Sequence, residues 1–118
     1  MGITENSLRM TPAENSVMQA FWNAKEPMTS SQIVEAVQAA GQVTWKSRSV
    51  FVLLNKLMKK ELIRVVGYAN VGRAFARRFE PTMTKAEYLA LVVMDELPEE
   101  ELPEFLESFS KKKDYIAS

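Results

Sequence analysis

The sequence predicts a mainly α-helical protein that carries one small β-hairpin, and three observations lead there. Two stretches set a capping Thr three residues ahead of Glu or Gln and then continue with apolar residues at helical spacing. A third holds Val50, Leu53, Leu54, Leu57 and Met58 at i, i+3, i+4, i+7 and i+8, which gathers them on one side of a helix. Directly after it the pattern changes to β-branched and aromatic residues interrupted by a Gly-containing turn, as in two strands joined by a hairpin.

The first helix starts at Thr11-Pro12-Ala13-Glu14: Thr11 can cap, Pro12 suits the first helical position, and Glu14 can reach back to complete a capping box. Val17, Met18, Phe21 and Trp22 form its apolar stripe, and Lys25-Glu26-Pro27 closes it. The second repeats the logic at Thr29-Ser30-Ser31-Gln32, places Ile33, Ala36, Val37 and Ala40 on one face, and meets Gly41 where a left-handed C-terminal cap is expected. Thr44 or Lys46 opens the third, which spans about residues 45–60. At about 100° per residue, its outward side presents Arg48, Val52, Asn55, Lys56 and Lys59, with Ser49 and Phe51 at the borders.

Strands are expected over 62–68 and 73–79, around a turn at Asn70-Val71-Gly72. Thr84-Lys85-Ala86-Glu87 is a third capping box, leading into Tyr88, Leu89, Leu91, Val92, Val93 and Met94, which are apolar nearly all the way round a helix. Leu102, Phe105, Leu106 and Phe109 then recur at i, i+3, i+4 and i+7. Pro103 means that a helix starting at Pro98 kinks or restarts there, and residues 111–118 are expected to fray.

With 118 residues, 47% apolar and 25% charged, the chain can bury one core and add an appendage. Its expected parts are a domain over 1–82 and a helical region over 83–118. It contains neither Cys nor His, which excludes disulfides, thiolate metal sites, imidazole catalysis and Cys/His zinc sites. Residues 1–10 lack a signal-peptide run and the longest apolar stretch, 89–94, is too short to cross a bilayer, so a cytoplasmic location is expected. The formal net charge of zero conceals a strong division. Residues 1–41 hold two cations and four acids, residues 42–80 nine cations and two acids, and residues 81–118 four cations and nine acids.

Three helices followed by a hairpin, with the third helix basic on its outer side, is the order of a winged helix-turn-helix, a DNA-binding architecture. Arg48 is placed to read a guanine edge, while Lys46, Ser47, Ser49 and Asn55 are candidate contacts to bases or phosphates, and Val52 to a thymine methyl. Lys56, Lys59 and Lys60 are expected to contact phosphates, and Arg73, Arg77 and Arg78 to follow the backbone from the hairpin or enter the minor groove. Phe21, Trp22 and Trp45 read as core. Glu99, Glu100 and Glu101 read as acids at a helix start rather than a metal cluster. With no Gly-rich phosphate loop and no nucleophile–base pair, neither a cofactor nor an enzymatic activity is expected.

These residues resemble the penicillinase-repressor family. The likeness rests on Thr11-Pro12-Ala13-Glu14 with Val17-Met18 and Phe21-Trp22, on Ile33-Val34-Glu35-Ala36-Val37, and on Thr44-Trp45 through Ser49-Val50 to Leu53-Leu54-Asn55-Lys56-Leu57 and Lys59-Lys60. Gly72-Arg73-Ala74 and Thr84-Lys85-Ala86-Glu87-Tyr88-Leu89 extend it. The resemblance implies a winged-helix repressor binding its operator as a dimer. Phe51 and Val52 stand where the family commonly has a basic residue and Thr, and residues 76–79 are more basic than the family's Tyr-rich strand. The chain also lacks the Asn-Phe dipeptide cut in antibiotic-responsive members and the cysteines of copper sensing.

A homodimer is expected on residue grounds too, because Leu89, Val92, Val93, Leu102, Phe105, Leu106 and Phe109 exceed what one short appendage can cover. A twofold dimer calls for an inverted-repeat operator with half-sites about one helical turn, or a multiple of it, apart. Phe51 and Val52 keep a second reading open: a winged-helix protein-interaction module that has lost DNA binding.

Overall fold

The computed structural model describes residues 8–41 and 45–117, with the backbone alone at residue 71 and residues 113–117. The chain divides into two compact units, Met1–Lys85 and Ala86–Ser118.

In the first unit, α1 runs Pro12–Ala24 and α2 Ser30–Ala39. The first two of the three expected capping boxes are formed: the Thr11 hydroxyl accepts the Glu14 N–H while the Glu14 carboxylate accepts the Thr11 N–H, and Thr29 and Gln32 repeat the exchange. Gly41 takes the left-handed conformation with φ of 72°, closing α2 as its position suggests. Thr44, one of the two expected openers of the next helix, lies outside the described residues. A 3₁₀ turn over Ser47–Ser49, following Lys46, leads into α3, Val50–Lys59.

The hairpin pairs β1, Ile63–Val71, antiparallel with β2, Ala74–Pro81. The turn lies further along than expected: Asn70 and Val71 belong to the strand, opposite Phe75 and Ala74, and the two-residue loop is Gly72-Arg73. Gly72 has φ of 62°, and two-residue hairpin loops require such a left-handed residue to match the strand twist. That requirement fixes the register on the Gly, not on the Asn that precedes it. A bulge between Val65 and Gly67 interrupts the ladder. The connection between α1 and α2 adds a contact that periodicity did not announce, because Met28 and Phe79 exchange both backbone hydrogen bonds, at 2.9 and 2.8 Å.

Val17, Met18 and Phe21 of α1, Ile33 and Val37 of α2, Val50, Leu53, Leu54 and Leu57 of α3, and Leu62, Ile63 and Phe79 of the hairpin are buried. These are most of the predicted stripes; Ala36 and Met58 are half-buried, and Ala40, expected on the apolar side of α2, is exposed at the helix's C-terminal cap. Trp22 and Trp45 are only half-buried; each is pinned through its indole N–H, to the Met83 carbonyl at 3.0 Å and the Ser16 hydroxyl at 3.1 Å respectively.

The second unit takes up α4, Lys85–Glu96, from its second residue, then a 3₁₀ turn over Glu99–Glu101 and α5, Leu102–Ala117. Pro103 falls in the first turn of α5, where its missing N–H costs no helical bond. The helix runs on past Lys111, where an end was expected, to Ala117. Leu89, Val93, Met94, Leu102, Phe105 and Phe109 border an apolar groove of about 530 Å³ flanked by α4 and α5.

Candidate nucleic-acid interface

α3 is strongly two-sided. Its inner side is spent on Val50, Leu53, Leu54 and Leu57, so the 100° step of the helix turns Val52, Asn55, Lys56 and Lys59 outward, and all four are exposed. Lys46, Ser47 and Arg48, at the entrance to α3, are exposed as well, and Ser49 is half-buried. The Trp45–Ser16 hydrogen bond ties this entrance to α1.

Two depressions border the outward side. One, of about 290 Å³, is lined by Ser30, Ser31 and Val34 of α2 and by Ser47, Arg48 and Phe51. The other, of about 440 Å³, lies between α3 and β2, with Phe51, Asn55 and Met58 on one wall and Phe75 and Arg77 on the other. Phe75, Arg77 and Phe79 share one side of β2 because strand residues alternate, and Phe79 is the member of that row that reaches the core. Arg78 lies on the opposite side of the strand, half-buried, with no hydrogen-bond partner for its Nε. Arg73 occupies the exposed tip of the hairpin.

Apart from the half-buried Arg78, the cations of the middle segment fall into two groups. Arg64 is bound to Glu80 through Nε at 2.9 Å and a terminal nitrogen at 2.7 Å. Lys60, expected among the phosphate contacts, is instead held 2.7 Å from Glu14 with only 9% of its side chain exposed. It sits just past the end of α3, where the helix turns back toward α1, and the apolar spacing of α3 gave no sign that an acid on α1 would claim it. By contrast Lys46, Arg48, Lys56, Lys59, Arg73 and Arg77 are exposed and, among the described residues, form no salt bridge. Exposed like-charged groups on one surface raise a positive potential that favours a polyanion. Phe75 and Tyr68, both exposed on the hairpin, were not singled out from sequence; alternation along β2, counted back from Phe79, identifies Phe75.

The penicillinase repressor family model matches residues 10–117. The chain belongs to that family. This penicillinase repressor relative is therefore a winged-helix regulator of transcription, and its three helices, hairpin and helical extension are the architecture the sequence predicted. The solved structure of the zinc-responsive MarR family member ZitR of Lactococcus lactis is similar over 98% of this chain and 83% of that one, at 19% identity and a TM-score of 0.45. A comparison with curated proteins found no match. Among the described residues of this penicillinase repressor family member, no helix is long and apolar enough to cross a membrane, and no group of three or more His, Cys, Asp or Glu is arranged to hold a metal.

Proposed function

We propose that the protein is a dimeric repressor that sets α3 into the major groove of an inverted-repeat operator, with the hairpin as a wing along the backbone and Ala86–Ser118 as the dimerising unit. The observation that carries this reading is the outward side of α3 and its entrance, where Arg48, Asn55, Lys56 and Lys59 stand exposed and, among the described residues, the three cations form no salt bridge, while the other side of the helix is core. Arg48, in the 3₁₀ turn that leads into α3, reads a guanine edge; Ser47, Ser49 and Asn55 supply hydrogen bonds; Lys46, Lys56, Lys59, Arg73, Arg77 and Arg78 hold phosphates. Blocking transcription at an operator needs occupancy alone, and a regulator acting on operator DNA works in the cytoplasm. The apolar row on α4 and α5, including Leu106 at 64% and Phe109 at 62% exposed, supports a partner subunit there.

The test is titration of labelled duplexes at several salt concentrations, beginning with a random pool from which bound sequences are selected. The reading expects steep salt dependence, a selected inverted repeat, and loss of discrimination at one base pair in Arg48→Ala. Absence of binding to any duplex at low salt overturns it in favour of a second reading, a protein-docking winged helix, which the exposure of Phe51 and Val52 favours.

A further inference from the structure

Phe51 and Val52, in the first turn of α3, are 61% and 55% exposed, although Val50, Leu53, Leu54 and Leu57 already fill the core-facing side of that helix. They therefore contribute little to the fold. Their neighbours are polar or cationic: Arg48 precedes them, and Asn55 and Lys56 follow one turn later, at the i+4 positions of Phe51 and Val52 respectively. Phe51 also lines the α3–β2 groove, whose other wall carries the 75% exposed Phe75 and Arg77. The surface is thus apolar at its centre and cationic at its margin. Phosphates account for the margin only, because an apolar side chain offers a phosphate neither charge nor hydrogen bond. Among the described residues the cations of this frame, Arg48, Lys56 and Arg77, form no salt bridge, and such a frame around the apolar centre favours a polyanion as its occupant. The apolar feature that duplex DNA presents to a helix in its major groove is the C5-methyl of thymine.

We infer that Phe51 and Val52 are specificity residues that read thymine methyl groups, so that each operator half-site carries thymines beside the base pair met by Arg48. This inference rests on the DNA-binding reading above. The N-terminal part of a recognition helix is the part that reaches base edges, and both residues lie there. Consecutive helical residues diverge by about 100°, so the two side chains reach methyl groups at different positions, Val52 on the side of Lys56 and Phe51 on the side of the groove shared with Phe75.

The experiment uses the full chain and a duplex selected by it from a random pool, in which each thymine is replaced singly by deoxyuridine. That exchange removes only the methyl group. Binding is expected to weaken about fourfold per methyl lost, the equivalent of one buried methylene, at one or two positions in each half-site. In Val52→Ser or Phe51→Gln the parent duplex is expected to bind more weakly and the corresponding deoxyuridine effect to vanish, which distinguishes a methyl contact from a change in duplex shape. Both side chains are largely exposed, so these variants should fold, and the deoxyuridine scan on the unaltered protein needs no variant. If the duplex binds and every deoxyuridine replacement is neutral, the methyl reading is overturned while DNA binding stands. If no duplex binds at all, both readings are overturned and the Phe51–Val52 surface is a protein-docking patch.

Discussion

The Lys60 ammonium lies 2.7 Å from the Glu14 carboxylate, and the two side chains are 9% and 2% exposed. The same carboxylate accepts the Thr11 N–H at 2.9 Å, and the same ammonium donates to the Arg9 carbonyl at 2.8 Å. One acid therefore both caps the start of α1 and holds the end of α3. The pair thus ties the end of the helix that carries the exposed Lys56 and Lys59 to the start of α1.

Removing one member of a buried pair leaves the other without its solvent and without its counter-charge. Lys60→Met should destabilise the protein by about 3 kcal/mol, the low end for buried pairs because its hydrogen bond to Arg9 lies at the surface. Glu14→Gln combined with Lys60→Met should cost clearly less than the sum of the single changes. Urea unfolding of all four proteins reads the coupling, and additive costs would show that the pair does not act as a unit.

Burial alone would raise the pKa of Glu14. The hydrogen bonds from Lys60 and Thr11 and the charges of Lys60 and Lys56 together outweigh it, and hold the carboxyl below its ordinary range. A carboxyl with a lower pKa folded than unfolded gives stability that is complete above the unfolded value, about 4.3 for Glu, and disappears as pH falls through the folded one. Stability should therefore drop on acidification below about pH 5, and the acid limb should be shallower in Glu14→Gln. Equal slopes in the two proteins would remove Glu14 from the account.

At the end of α3 the backbone turns left-handed at Glu61, with φ of 60°, as its N–H bonds the Met58 carbonyl at 2.9 Å. Such a conformation costs an L-residue roughly 1–2 kcal/mol, partly offset in a Gly variant by the freedom Gly gains on unfolding. Glu61→Gly is expected to raise stability by up to about 1 kcal/mol, seen as a higher urea midpoint at unchanged slope. A lower midpoint would mean that the exposed Glu61 side chain matters more than its backbone.

Legibility from sequence followed the range of the interactions. Both capping boxes of the first unit close over three residues, and the stripe from Val50 to Leu57 is set by helical period alone, so local pattern sufficed for them. The Met28–Phe79 bridge and the Lys60–Glu14 pair join residues about fifty positions apart; no periodicity encodes which distant group arrives. The hairpin turn was misplaced because Asn70 and Gly72 both suit turns, and only the pairing of Val71 with Ala74 decides between them. On the candidate interface, the spacing of α3 separated core from surface correctly, yet it could not distinguish Lys59 from its neighbour Lys60.

Those two adjacent lysines should behave differently on DNA. Lys59 is exposed and, among the described residues, forms no salt bridge, whereas Lys60 is engaged. If each protomer sets Lys59 on one phosphate, Lys59→Ala should flatten the slope of log affinity against log salt by about 2 for the dimer, at about 0.9 per phosphate. Lys60→Met, measured at a temperature where it is folded, should leave that slope unchanged. A change of slope in Lys60→Met would return Lys60 to the phosphate-contacting set.

The second unit leads to the last expectation. Leu106 and Phe109 are each more than three-fifths exposed, and large apolar side chains in a contiguous row signal an interface. Leu106→Glu with Phe109→Glu should give a monomer by sedimentation while leaving the fold of Met1–Lys85 intact, since neither side chain belongs to that unit. Each DNA-binding unit would then engage its half-site alone, without the effective concentration that a bound twin supplies, and affinity for a full inverted repeat should fall roughly 100-fold or more. Lys111→Ala is the control, because Lys111 makes only an exposed 3.9 Å pair with Glu107 on the same helix, and such pairs contribute little. A double variant that stays dimeric would assign the interface to other residues, and a monomer with undiminished affinity would separate operator binding from dimerisation.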